Sequence, residues 1–303
     1  MDRRDDTFDA FALAGAIARE TRNLALTVGP LAIGLRTPAA LALGISSVAQ
    51  LGGRPAHLAL GASTPVVVSG WHGRSWQPQT MTAAMRETAE LTRQILAGQR
   101  SGHDGAHASS HGFRLAAGPQ QTSITVAAFA PAMLSLAARI ADRVVVNLVT
   151  PAQARAFRRS IDAHARQAGL AAAPPLAAWI PVAIDPDDDA YAQLARQLVV
   201  YLAPPGYGEM FIEAGFADLV ARARDGQHPR ELMSAIPHEL VHAIGAVGDA
   251  QQVSRRLQEY AAAGVDEIGI VPVTANDPGA QRLLGEAAAV LAGEPISSPA
   301  RRA

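Results

Sequence analysis

Arg-Thr-Pro-Ala-Ala-Leu-Ala-Leu-Gly-Ile-Ser-Ser-Val-Ala-Gln-Leu-Gly-Gly-Arg-Pro-Ala-His-Leu-Ala-Leu-Gly-Ala-Ser, residues 36–63, contains one complete repeat of the fold. Thr37 has the side chain of a helix N-cap, and Pro38 has the fixed φ of a first helical residue. The helix they open runs to about Leu51 and stops at Gly52-Gly53. A short apolar run over Ala56–Leu60 then predicts a buried strand. The strand ends in Gly61, Ala62, Ser63 and Thr64, small residues that let a backbone come close to a ligand. Beyond them another apolar run leads to Trp71 and His72, a flat surface beside a titratable group.

The same alternation extends in both directions. Towards the N-terminus, Phe8–Arg19 has a helical apolar spacing, and Leu24–Val28 reads as a strand ending at Gly29-Pro30. Towards the C-terminus, helices are expected over Thr80–Leu96, Ala132–Ala141, 151–167, Ala190–Ala203, Glu209–Arg224, Pro229–Ile244, Ala250–Ala263 and Pro278–Leu291. Strands are expected over Ile124–Phe129, Val144–Leu148, Ala177–Ile184 (weakened by Pro181) and Glu267–Val273. Residues 101–121, rich in Gly, Ser and His, read as an inserted loop. Strands alternating with amphipathic helices predict an α/β fold with a parallel sheet. About six strands without an obvious linker predict a TIM (β/α)8-type barrel, one domain over 1–303. The doubly wound alternative lacks a Gly-x-Gly-x-x-Gly fingerprint or a Walker A loop.

Composition excludes several classes of function. Apolar residues make up 49% of the 303 residues and charged residues 17%, enough for a core and too few charges for a disordered chain. A net charge of −1 gives no bulk attraction to nucleic acid or an anionic membrane. No apolar run is long enough to span a bilayer. With no cysteine there is no disulfide, thiolate zinc site or thiol nucleophile, which fits a cytoplasmic protein.

In a barrel the chemistry lies at the carboxyl ends of the strands. Those ends are Gly29-Pro30, Gly61-Ala62-Ser63, Phe129-Ala130-Pro131, Asn147, Asp185 and 272–274. Most offer backbone and small side chains, with few acids or bases. That is the inventory of a site that holds a large flat cofactor and lets it supply the chemistry.

The chain resembles the luciferase-like monooxygenase family, barrel enzymes that use FMN or the deazaflavin coenzyme F420. The matching pieces run in family order: Asp-x-Phe before the first helix, Ala-Arg-Glu-Thr-Arg-Asn-Leu-Ala-Leu (18–26), Arg-Thr-Pro-Ala-Ala-Leu-Ala (36–42), Leu-Gly-Gly-Arg (51–54), Leu-Ala-Leu-Gly-Ala-Ser (58–63) and Trp-His-Gly (71–73). Later come Ala-Pro-Ala-Met-Leu-Ser-Leu-Ala-Ala-Arg-Ile-Ala-Asp (130–142) and Tyr-Ala-Ala-Ala-Gly-Val-Asp-Glu (260–267). The resemblance implies a cis peptide against the cofactor ring at Gly29–Pro30. It also implies a cofactor wall at Gly61, Ala62, Ser63 and Thr64. A backbone cradle for the cofactor phosphate falls over Ala128, Phe129, Ala130, Pro131 and on to Met133, and a loop feeding a helix N-terminus suits an anion on physical grounds as well. Trp71 and His72 are candidates for the substrate pocket. Ala130 and Arg143 stand where the family usually has glycine. Against the family pattern, roughly 30–50 residues of strand, helix and strand are expected to be absent before Asp-x-Phe. A barrel short of two strands leaves two sheet edges, and a second copy of the chain is one candidate to cover them.

Two functions follow from the resemblance. The first is an oxidoreductase passing hydride between coenzyme F420, which the most similar subset favours, or FMN, with monooxygenation, and a small organic substrate. The second is a non-catalytic binding or structural relative. A third motif points elsewhere. His238-Glu239-Leu240-Val241-His242 is a literal His-Glu-x-x-His, which on a helix suits a zinc protease. The third ligand of the longer spacing would be position 248, which is Gly248. His103, His107 and His111 recur every four residues, in a Gly- and Ser-rich setting that favours a loop over a metal site.

Overall fold

The computed structural model describes residues 8–275 and 277–292. The chain divides into two compact units. The first takes in residues up to 145 together with 160–175, and the second 146–159 together with 176 onward. The division passes within β6 (Arg143–Asn147) and α5 (Pro151–Gln167).

In the first unit the chain runs α1 (Ala10–Glu20), β1 (Leu26–Ala32), α2 (Pro38–Gly52), β2 (Ala56–Gly61), a π-helix (Val66–Trp71) and α3 (Met81–Leu96). It continues through a short hairpin of β3 (Gly102–Asp104) and β4 (Ser109–His111), then β5 (Ile124–Ala127), α4 (Pro131–Ile140) and β6. β1, β2, β5 and β6 form a parallel ladder in that order. Val28, Leu58, Leu60, Ile124, Val126 and Val144 are buried, with Leu41 and Ile45 of α2, Met85 and Ile95 of α3, and Leu134 and Ala137 of α4. Alternate strand residues carry a polar row: Arg143 donates from Nε to Thr125 Oγ1 (3.1 Å) and from Nη2 to Thr27 Oγ1 (3.0 Å). The expected cap at α2 is present, since Thr37 Oγ1 accepts from Ala40 N. Arg54 fastens the end of α1 by donating to the carbonyls of Leu24 and Thr21 at 2.7 Å each.

In the second unit β7 (Leu176–Ile184) pairs in parallel with β8 (Ala246–Gly248) and β9 (Glu267–Pro272). Around it lie α6 (Asp188–Leu198), α7 (Tyr207–Glu213), α8 (Ala217–Arg224), α9 (Pro229–Ala235), α10 (His238–Ile244), α11 (Ala250–Ala262) and α12 (Gln281–Ala292). Leu194, Leu198, Phe211, Val220, Leu240 and Ile244 pack into one buried cluster. Tyr260 is fully buried and donates its hydroxyl to Val149 O at 2.6 Å.

Parallel strands alternating with helices give the α/β architecture of the TIM-barrel type that the sequence predicts. Seven strands rather than about six enter parallel ladders among the described residues; β8, three residues long, is the addition. β1 does not stop before Gly29-Pro30 but runs through it to Ala32, because pairing with β2 resumes at Leu31. The apolar run after Thr64, given no element from the sequence, forms a π-helix. The helices expected over 209–224 and 229–244 are each two helices. The first breaks at Gly215 (φ 99°), and the second before Pro237, which lacks the N–H a continuing helix needs. Residues 101–121 include the β3–β4 hairpin, whose turn is held by Glu87: its Oε2 accepts from His107 N (2.7 Å) and Ala108 N (3.0 Å).

Candidate functional site

Within β1 the ladder to β2 shifts register between Val28 and Leu31, and the Gly29–Pro30 peptide inside this bulge is cis. Gly29 has φ 129°, and a Cβ there would lie 2.2 Å from the carbonyl oxygen of Ala59. Only glycine allows β1 this close to β2. Pro30 in turn meets the end of β2. A Cβ on Gly61 would lie 3.1 Å from Pro30 Cβ and 3.8 Å from Ala127 Cβ. Pro30, Gly61 and Ala127 therefore form one surface of small apolar groups across the ends of β1, β2 and β5.

Past Gly61 the chain turns sharply. Ser63 is exposed and takes a left-handed φ of 60°. Thr64 lies just before the π-helix: its carbonyl accepts from Val68 N (3.0 Å) and its Oγ1 from Val67 N (3.4 Å). Trp71 ends the π-helix and is 44% exposed, and His72 beside it is also exposed. Trp76 closes the excursion by donating Nε1–H to the carbonyl of Ala62 at 3.0 Å. No sequence signal marks this bond, because it joins residues fourteen apart through an indole that belongs to no motif.

The end of β5 leads to a helix start. Ala128 is buried and donates its N–H to Val145 O at 3.2 Å. Phe129 is half-buried, while Ala130 and Pro131 are exposed. Ala130 occupies the N-cap position of α4 with extended backbone (φ −69°, ψ 141°), no side chain caps the helix, and the first turn contains no acid. An α-helix start leaves amides without intrahelical partners, and here no side chain or negative charge competes for them. An anion fits this helix start, and a flat ring fits the Pro30–Gly61–Ala127 surface. The donor chemistry thus suits a phosphate-bearing planar cofactor.

Titratable groups other than His72 lie elsewhere. His57, at the amino end of β2, accepts at Nδ1 from Ser123 N (3.1 Å) and lies 2.9 Å from Ser123 Oγ. Burial, and then the Arg143 charge, push its pKa down, while Asp142 opposes them. In the second unit, the phenol of Tyr207 hydrogen-bonds Asn147 at the end of β6. Burial, with Tyr201 adding to it, pushes the Tyr207 phenol up to about 12, against the opposing Asn147 bond. It therefore stays protonated at neutral pH. Leu148 (φ 55°) and Asp185 (φ 47°), just after β6 and β7, are left-handed non-glycine residues, a conformation that concentrates at functional turns. Gln193 reaches the end of β9, where its Oε1 accepts from Thr274 N at 3.1 Å.

The His-Glu-x-x-His stretch is built differently from a metal site. His242 is engaged at both ring nitrogens: Nδ1 lies 3.1 Å from Val247 O and Nε2 3.1 Å from the Tyr191 hydroxyl. His238 stacks flat on the Tyr191 ring, with centroids 3.7 Å apart. Among the described residues no group of three or more His, Asp or Glu could hold a metal ion. His103 and His111 lie on opposite strands of the β3–β4 hairpin, and His107 lies in the turn between them.

The chain is similar to known proteins in sequence and in fold. The luciferase-like monooxygenase family model matches residues 1–267. Two 5,10-methylenetetrahydromethanopterin reductases are similar in sequence. That of Archaeoglobus fulgidus is 25% identical, over 86% of this chain and 80% of its own. That of Methanolobus tindarius is 27% identical, over 92% and 86%. Among solved structures, the coenzyme F420 dependent tetrahydromethanopterin reductase from Methanopyrus kandleri superposes with a TM-score of 0.73 at 20% identity, covering 88% of this chain and 82% of that one. A riboflavin lyase solved with modified FMN gives 0.69 at 14% identity, covering 98% and 76%.

Proposed function

Because the chain belongs to the luciferase-like monooxygenase family, we propose that it is an oxidoreductase that binds coenzyme F420 or FMN against the ends of β1, β2 and β5. The observation that carries the reading is the Pro30–Gly61–Ala127 surface beside a helix start that has neither cap nor acid. When bound, such a cofactor supplies hydride chemistry, with FMN adding reaction with dioxygen.

The protein's own part is to bind and to orient. Gly29 and Pro30 bring backbone and a proline ring up to the ring face, and Gly61 keeps that face flat. Ala62, Ser63 and Thr64 wall one side with backbone and hydroxyl groups. Ala128, Phe129, Ala130 and Pro131 lead the cofactor phosphate to the amides of α4, where the helix dipole favours negative charge. Trp71 and His72, exposed at the end of the π-helix, offer an aromatic face and a titratable ring to a small organic substrate. With no carboxylate at these three strand ends, proton transfer is not the main contribution of this wall.

Coenzyme F420 is the favoured cofactor, because the solved Methanopyrus kandleri neighbour is named for its dependence on it. Titration of FMN and of coenzyme F420 with the purified chain tests the proposal. Saturable fluorescence quenching by one of them is expected. Folded protein that quenches neither would sink the reading, and tight binding without turnover would leave the non-catalytic relative instead.

A further inference from the structure

Residues 62–76 form a closed excursion from the end of β2, and its closure carries an inference that rests on the proposed cofactor site. The excursion is held mainly by itself. Thr64 supplies its first bonds, His72 N and Gly73 N return to the carbonyls of Val67 and Ser69, and Arg74 N returns to Val68 O at 2.9 Å. Only Val68 of the π-helix is buried, and it packs where a Cβ on Gly34 would sit, 3.3 Å from Val68 Cγ1. The remaining tie is the Trp76 indole on the Ala62 carbonyl.

That tie has a consequence on the opposite side of the peptide. In a trans peptide the C=O and the following N–H point in opposite directions in one plane. Fixing the Ala62 oxygen towards Trp76 therefore fixes the Ser63 N–H away from it. Ser63 is exposed and left-handed, and nothing among the described residues accepts from its N–H. It lies two residues after Gly61, whose position against Pro30 shapes the surface proposed for the ring.

We infer that Trp76 is a positioning residue: by holding the Ala62 carbonyl, its indole N–H aims the Ser63 N–H as a donor to an acceptor on the bound cofactor. Trp76 need not touch the cofactor ring itself. Loss of its N–H lets the Ala62–Ser63 peptide rotate, and the donor is lost with the geometry.

The test titrates FMN and coenzyme F420 by fluorescence with the full chain, as wild type, Trp76→Phe and Trp76→His, alongside thermal melts. Trp76→Phe keeps an aromatic ring without a donor, and Trp76→His restores a ring N–H. The expected result is about 5- to 10-fold weaker cofactor binding in Trp76→Phe, the scale of one net hydrogen bond, with a wild-type melt and substantial recovery in Trp76→His. Trp76→Phe binding within twofold of wild type overturns the inference. So does an affinity loss that tracks a fall in melting temperature, which would assign the bond to loop stability alone. A second measurement does not depend on Trp76 variants. Replacing Trp71 and Trp179 by Phe leaves Trp76 as the one tryptophan of the three, and its emission must change on saturation with cofactor. Unchanged emission overturns the inference. Wild-type protein that binds neither cofactor removes the site reading itself, and this inference with it.

Discussion

Gly29 and Gly61 lie on adjacent strands at the same surface, yet alanine at each should do opposite things. At Gly29 the new Cβ would lie 2.2 Å from Ala59 O and 2.7 Å from Leu31 N. Both are backbone atoms, so no rotamer change relieves the overlap. The φ of 129° adds a second penalty, since an L side chain rarely adopts it. Steric overpacking costs about 1–3 kcal/mol and a sparsely populated backbone conformation about 1–3 more, so Gly29→Ala should lose about 2–6 kcal/mol. For a protein of this size that lowers the melting temperature by roughly 3–10 °C. Gly61 has no such φ, and its nearest neighbour is a side-chain atom, Pro30 Cβ at 3.1 Å. Alanine there needs a shift of only a few tenths of an ångström, offset by the backbone entropy that glycine loses on folding, so the melt should move by no more than about 2 °C. The added methyl would, however, rise from the surface proposed to carry the ring. One methylene misfit in a binding pocket is worth about 1–3 kcal/mol, so affinity for FMN or coenzyme F420 should fall about 10-fold or more. Circular-dichroism melts and fluorescence titrations separate the two effects. A Gly29→Ala protein that melts with the wild type, or a Gly61→Ala protein that binds as well as the wild type, refutes the reasoning for that position.

Three other features make independent predictions. The Glu87 carboxylate is held below its usual range by its bond from His107 N, with the Ala108 bond helping and burial opposing. Its stabilising effect should be full above the ordinary carboxylate pKa and lost as pH falls through the depressed folded value, so wild type and Glu87→Gln should melt further apart at pH 7 than at pH 3. The Tyr207 phenol, raised to about 12, should appear as a late phase in tyrosinate absorbance, and its stabilising effect should disappear between about pH 10 and 12 because the unfolded phenol ionises first. Tyr191→Phe, which removes the hydroxyl from His242 Nε2, should cost about 1 kcal/mol in stability, and metal analysis of the wild type should find no stoichiometric zinc; an ion lost on His242→Ala would restore the protease reading.

Local chemistry wrote much of the fold into the sequence. Thr37-Pro38 and Thr150-Pro151 mark helix starts because the cap and the fixed proline φ act within a few residues, and α2 and α5 begin there. What the sequence hid was decided by pairing across the chain. β1 runs through Gly29-Pro30 because β2 supplies a partner beyond the bulge. β8 is too short for a periodicity, and its register with β7 over Val182–Ile184 is what makes it a strand. Val66, Val67 and Val68 have a strand former's side chains, but Thr64 accepts from the amides of Val67 and Val68 and Trp76 closes the segment, so tertiary closure overrides propensity. The candidate site was legible as a run of small residues. The contact of Pro30 with Gly61, and the indole that fixes Ala62, were not, because each joins residues far apart in the chain.

The bare start of α4 is the feature where stability and binding pull apart most clearly. Ala130 has the extended backbone of an N-cap but no side chain to cap with, and Pro131 follows it. Ser, Thr, Asp or Asn there would accept from the helix amides and add about 0.5–2 kcal/mol. A structural helix has no reason to forgo that, whereas a phosphate site does, because a built-in cap occupies the amides the anion needs. Ala130→Asp should therefore raise the melting temperature while weakening cofactor binding. The carboxylate both takes the amides and repels the phosphate, so the loss should exceed tenfold at low ionic strength and shrink as salt screens the repulsion. Ala130→Ser separates the two contributions: it competes for the amides without the charge, so its loss should be smaller and insensitive to salt. If Ala130→Asp gains stability and keeps full affinity, the phosphate does not lie at α4, and the cofactor wall must be sought from Gly61 and Ser63 alone.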